Sequence, residues 1–143
     1  MRRSPLSLRT NLLLALLAGL LAACSSGHVA TAQDIDVHEA LARQKGGAVL
    51  LDVRTPAEFQ QGHAAGAQPV PWVDMSGRVN PDFFTEVAKL ATPDKPVVVI
   101  CRSGSRSASA ARALRQHGYQ SAVSVTGGSL EWQRDGLPWH AGQ

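Results

Sequence analysis

The stretch of this chain best suited to chemistry is Cys101-Arg102-Ser103-Gly104-Ser105-Arg106-Ser107. Cys101 ends Pro96-Val97-Val98-Val99-Ile100, the clearest strand pattern in the chain, and a helical pattern begins about five residues later. Ligands of open α/β sheets bind outside the carboxyl ends of strands. Helix N-termini present free N–H groups and the positive end of a dipole. The intervening residues are small, so the backbone can curl and aim several amides inward as an anion nest. Such a nest favours thiolate over thiol, and Arg102 and Arg106 add positive charge. A cysteine pKa, ordinarily near ~8.5, falls to roughly 3.5–7.5 in such settings. The expected product is an ionised nucleophile at neutral pH that needs no histidine base. The competing readings are an inert buried thiol at Cys101 and solvated surface cations at Arg102 and Arg106.

The elements that must hold this loop alternate. Asp36 to Glu39 has the spacing of a capping box, and the helix it opens should stop at Gly46-Gly47. Residues 48–53 form an apolar run suited to a strand buried on both faces. Thr55-Pro56-Ala57-Glu58 is a second capping box, with Pro56 at the first helical position. Residues 67–72 form a short strand that Pro69 and Pro71 confine to an edge. Asn80-Pro81 opens a helix with Phe83, Val87, Leu90 and Ala91 on one face. Residues 106–117 form a helix closed by Gly118, residues 120–125 a strand, and residues 130–134 a short helix after the Gly127-Gly128 turn. Strands alternating with helices predict an α/β fold with a parallel sheet.

Four segments in order resemble rhodanese-domain sulfurtransferases: residues 51–59 (LDVRTPAEF), residues 62–67 (GHAAGA, with Ala64-Ala65 where that family has Ile-Pro), the cysteine loop, and Val125-Thr126-Gly127-Gly128 with Trp132 and Gly136-Leu137-Pro138. The resemblance spans about residues 34–140. It implies a rhodanese-like three-layer fold, a five-stranded parallel sheet with helices on both faces. It also implies that Cys101 takes a sulfane sulfur from an anionic donor such as thiosulfate and passes it, as a persulfide, to a thiol or cyanide. Backbone amides of Arg102, Ser103, Gly104, Ser105 and Arg106 would hold the persulfide and donor, and the two arginines would bind the sulfonate. Asp52, Arg54 and Glu58 are expected to form a charge network fixing the strand-to-helix turn, and His63 to tie its turn to the backbone. Trp72, Trp132 and Trp139 are expected to pack.

Two rivals remain open at this level. Cysteine phosphatases also cradle an anion on a cysteine loop, but they use Cys-x5-Arg. Here Ser107 occupies that position, and Arg106 makes the spacing Cys-x4-Arg, a tighter nest. The other rival is a binding module that holds a sulfur carrier or envelope partner without turnover. No cofactor is implied: the chain has no P-loop and no Gly-x-Gly-x-x-Gly after a strand. No metal is implied either, since His28, His38, His117 and His140 lack ligand spacing.

Composition agrees with one modest domain. The 143 residues are 44% hydrophobic and 5% aromatic, enough for a single core. The net charge of +3 is carried by the start of the chain. With Arg2, Arg3 and Arg9 set apart, the 14 basic residues fall to 11 and match the 11 acidic ones, which speaks against nucleic-acid binding. Two cysteines exclude a multi-disulfide scaffold.

Those three arginines precede Leu12 to Ala23, an unbroken apolar or small run. As a helix it is about 18 Å long, short of the ~30 Å membrane core, and it reads as a signal peptide. Leu21-Ala22-Ala23-Cys24 resembles the lipobox of bacterial lipoproteins. The expectation is removal of residues 1–23, lipidation of Cys24, a linker over 24–33, and a domain tethered to the envelope membrane facing the periplasm. Ser25, where an Asp would signal inner-membrane retention, favours the outer membrane. The alternative is cleavage after Ala30-Thr31-Ala32, giving a soluble periplasmic protein.

Overall fold

The computed structural model describes residues 33–142. The expectations for residues 1–32, including Cys24 and the two cleavage sites, lie outside the described residues.

The chain runs β1 (Asp34–Ile35), α1 (Val37–Lys45), β2 (Val49–Asp52), α2 (Pro56–Gln60), β3 (Gly62–Ala64), β4 (Gln68–Pro69), α3 (Phe83–Ala88), β5 (Val97–Ile100), α4 (Ser105–Gln116), β6 (Val123–Val125), α5 (Gly128–Arg134) and β7 (Trp139–Ala141). Five strands form one sheet in the order β1-β6-β5-β2-β4. Every pairing in it is parallel. After β2 the chain moves outward to β4, and after β5 it moves the other way to β6. The carboxyl ends of β2 and β5 therefore flank the point where strand order reverses, the usual ligand crevice of such sheets.

Strand alternation sorts the core into two layers. Leu51, Val97 and Val99 face Phe83 and Val87 of α3 and Ala110, Ala111 and Leu114 of α4. Leu50, Val98, Ile100, Val123 and Val125 face Val37 and Ala40 of α1 and Trp132 of α5. All four β5 residues are buried, which explains their unbroken apolar run. The small residues of α4 let it lie close to the sheet.

Several expectations are corrected. The Asp36 capping box is half formed: Asp36 accepts from the Glu39 amide at 2.8 Å, but the Glu39 carboxylate turns to Arg43. An i,i+4 charge pair there outcompetes the reach back to the cap. The third helix starts at Phe83 rather than at Asn80 and ends at Ala88, so Leu90 leaves the apolar face and is 38% exposed. Residues 120–122 form a turn before β6. Gly62–Ala64, read as part of a turn, instead pairs antiparallel with β7 in a separate two-stranded sheet, with His63 opposite His140.

Candidate functional site: the Cys101 loop and its cleft

Period-two alternation along β5 puts Cys101 on the face of Val97 and Val99, against α4. The residue is 1% exposed. Gly104 has φ +104 and caps α4 without a side chain, a left-handed conformation that glycine adopts without steric cost. That turn aims the Gly104 amide at Cys101 Sγ, 3.1 Å away. Burial pushes the Cys101 thiol up. The Ser107 hydroxyl and the amides of Ser107, Ser103 and Gly104 oppose it and win, so the pKa lies below the ordinary value. The groups that lower it are hydrogen-bond donors of the loop.

The loop is held from behind by α5. Ser129 N donates to the Cys101 carbonyl at 2.8 Å and Leu130 N to the Arg102 carbonyl at 3.2 Å. This approach requires Gly128. Its φ is +57, and a Cβ there would sit 2.3 Å from the Cys101 carbonyl oxygen.

The charged residues resolve into two pairs rather than one network. Arg54 and Asp52, 6% and 1% exposed, form a bidentate pair with contacts of 2.6–3.0 Å. Arg54 Nη2 also donates to the Gly62 carbonyl at 2.8 Å, joining the end of β2 to β3. Glu58 takes no part in that pair. It accepts from Thr55 N at 2.9 Å, completing the expected capping box, and receives both Arg106 Nη1 and Nη2 at 2.7 Å. The Arg106 guanidinium holds the Glu58 carboxyl down to about 2, against a burial effect that raises it and with help from Thr55. Arg106, expected to be free for the donor's sulfonate, is thus already matched by a carboxylate. Arg102 remains exposed and, among the described residues, forms no salt bridge. His63, expected to tie a turn to the backbone, lies in β3 and bonds back to α2: Nδ1 donates to the Phe59 carbonyl at 3.1 Å, and the rings stack at 3.7 Å.

A cleft of about 220 Å³ opens beside the loop, lined by Arg54, Glu58, Gln61, Arg102, Gln133 and Trp139 among others. Trp139 does more than pack, since Arg54 stacks on its ring at 5.6 Å and both reach the cleft. Trp72 and Trp132 pack as expected, Trp72 edge-on to Phe83 and Trp132 fully buried with Nε1 donating to the Pro138 carbonyl. Sequence reasoning placed Ser107 in the cysteine loop without a role, and missed Gly128 and Ser129 as site residues, along with the cleft walls Gln61 and Gln133. Among the described residues, no group of three or more His, Cys, Asp or Glu could hold a metal ion.

A parallel α/β sheet with a buried, hydrogen-bonded cysteine under a glycine-turned loop at the strand-reversal point defines a class of α/β domains built around a loop cysteine. Comparison with known proteins narrows that class, because the family model for the rhodanese-like domain matches residues 36–135. The chain belongs to the rhodanese-like domain family. It is 39% identical over 94 residues to thiosulfate sulfurtransferase 16, chloroplastic, of Arabidopsis thaliana, covering 64% of this chain and 78% of that protein. It is also 39% identical over 90 residues to a sulfurtransferase of Allochromatium vinosum, covering 63% and 76% of the two chains. A crystal structure of a protein from M. tuberculosis superposes with a TM-score of 0.67 at 29% identity, over 76% of this chain and 97% of that one.

Proposed function

We propose that this protein is a sulfurtransferase that carries sulfane sulfur on Cys101. The observation that carries the reading is a buried sulfur receiving the Gly104 amide, with its pKa lowered by loop hydrogen bonds. The Cys101 thiolate attacks the outer sulfur of thiosulfate or a similar anionic donor. A Cys–S–S bond forms, the donor's S–S bond breaks, and sulfite leaves with the electron pair. A thiolate or cyanide then attacks the outer sulfur, and Cys101 leaves as thiolate. Amides of Arg102, Ser103, Gly104, Ser105 and Arg106 hold the persulfide in their nest, and Arg102 meets the donor's sulfonate at the cleft. Arg106 acts mainly by fixing α4 to α2 through Glu58. The names of the curated relatives support a thiosulfate-type donor. The Glu58 pairing of Arg106 disfavours a phosphatase, which would need that guanidinium for phosphate.

The protein works at the cell envelope in this reading. Cys24 is lipidated after removal of residues 1–23, and the domain faces the periplasm from the outer membrane, with nucleic acid no part of its role. The deciding experiment uses a leaderless protein, in a thiosulfate:cyanide assay and by mass spectrometry after incubation with thiosulfate. Turnover and a one-sulfur adduct on wild type, both lost in Cys101→Ser, are expected. The adduct without turnover favours the binding-module reading, and an adduct that survives Cys101→Ser refutes the site.

A further inference from the structure

The two-stranded sheet carries two histidines that the cysteine chemistry does not use. Antiparallel register sets His63 of β3 directly opposite His140 of β7, and side chains so paired keep their Cβ atoms about 4.5–5.5 Å apart on one face. Alternation turns their neighbours Ala64 and Trp139 toward the core, so His63 and His140 share the outer face. Their ring centroids lie 5.5 Å apart, with the planes inclined by 59°. Both rings line one solvent-open cavity of about 550 Å³, together with Gln60, Ala141 and Gly142. Along the chain these residues show no ligand spacing; the strand register supplies it.

The tautomer of His63 is fixed. Its Nδ1 lies 3.1 Å from the Phe59 carbonyl, an oxygen that can only accept. Nδ1 therefore carries the proton, and Nε2 keeps its lone pair. Metal-ligating histidines are held in this way, the second ring nitrogen donating to a backbone carbonyl, a carboxylate or water. The stack on Phe59, at 3.7 Å and 8°, fixes the ring plane as well. His140 is exposed, so its ring can turn to bring a nitrogen to the same point. The spacing suits a single ion, since Zn–N bonds of about 2.0–2.1 Å at a tetrahedral centre put two imidazole centroids about 5 Å apart. Imidazole suits zinc, copper and nickel, whereas magnesium and calcium favour carboxylate, carbonyl and water oxygens. We infer that His63 and His140 form a two-histidine site for a transition-metal ion of the Zn²⁺ type, with water in the remaining positions. The ion cross-links β3 to β7 on the face opposite Gly62 and Trp139, which line the cysteine cleft. This site is separate from the proposed sulfur chemistry and does not depend on it.

The test uses the full chain without a polyhistidine tag and with Cys101→Ser, which keeps the loop thiol out of the titration. Calorimetric titration with Zn²⁺ should reveal a saturable site. Loss of an outer-shell partner alone costs about 10- to 100-fold in metal affinity, so removing a ligand by His140→Ala in the same background should weaken that site by at least about tenfold. Every other ligand stays in both proteins, so the difference reports on the pair. A large excess of Mg²⁺ should leave Zn²⁺ in place. In NMR spectra of protein with ¹⁵N-labelled histidine rings, Zn²⁺ should shift the His63 Nε2 signal while Nδ1 keeps its proton. Unchanged Zn²⁺ affinity in His140→Ala, displacement by Mg²⁺, or a His63 Nε2 signal indifferent to the ion would each overturn the inference.

Discussion

Replacing Glu58 with glutamine isolates one charge at the junction of α2 and α4. Glutamine at this position can still reach back to the Thr55 amide, so the helix start survives. What is lost is the charge opposite Arg106. The Glu58 pKa moves from 4.5 to about 2 on folding, which at 1.36 kcal/mol per unit corresponds to about 3.4 kcal/mol. Both side chains are 27% exposed, and solvent screening reduces the figure to about 1–2 kcal/mol. The folded-state pKa is depressed, so the stabilisation is complete above the unfolded value of 4.5 and disappears as pH falls through about 2. Urea denaturation followed by tryptophan fluorescence should show Glu58→Gln destabilised by that amount at pH 7. The gap to wild type should close progressively between about pH 5 and pH 2. A double-mutant cycle with Arg106→Gln should return a coupling of similar size. A gap that stays constant with pH, or a coupling near zero, would show that the pair does not lock α2 to α4.

Three further outcomes are expected. Arg102→Ala should raise the thiosulfate KM and cut kcat/KM roughly 10- to 150-fold, the worth of a charge-assisted hydrogen bond of about 1.5–3 kcal/mol, while leaving the melting temperature unchanged because the side chain is exposed. Steady-state kinetics checks this. Gly128→Ala should cost about 3 kcal/mol or more, since it combines left-handed strain with a Cβ driven into the Cys101 carbonyl; thermal denaturation reads the loss, and an alkylation assay should show a disturbed Cys101. Cys24→Ala should abolish labelling by a palmitate analogue and membrane fractionation in a Gram-negative host, and a soluble, unlabelled wild type beginning at Gln33 would overturn the lipid anchor.

Much of this domain is legible in its sequence because the forces involved are local. Pro96 followed by four β-branched apolar residues can only be a buried strand in a chain of this size, and β5 is one. Thr55-Pro56-Ala57-Glu58 carries its own helix start, because a cap reaches only three residues. The cysteine loop could be placed for the same reason: a strand end, small residues and a helix start lie within one short segment. The pairings made across the fold were not legible. Glu58 and Arg106 are 48 residues apart, Ser107 and Ser124 are 17 apart, and β3 pairs with β7 although α3, α4 and α5 lie between them along the chain. The sequence alone lets Arg106 be a ligand for an anionic donor or a partner for a carboxylate. The fold that brings Arg106 of α4 to Glu58 of α2 decided for the carboxylate, since a guanidinium with a carboxylate 2.7 Å away is matched in charge and geometry. Side-chain chemistry is written in the sequence residue by residue, but which charges and hydroxyls meet is set by the packing of elements whose spacing along the chain carries no record of it.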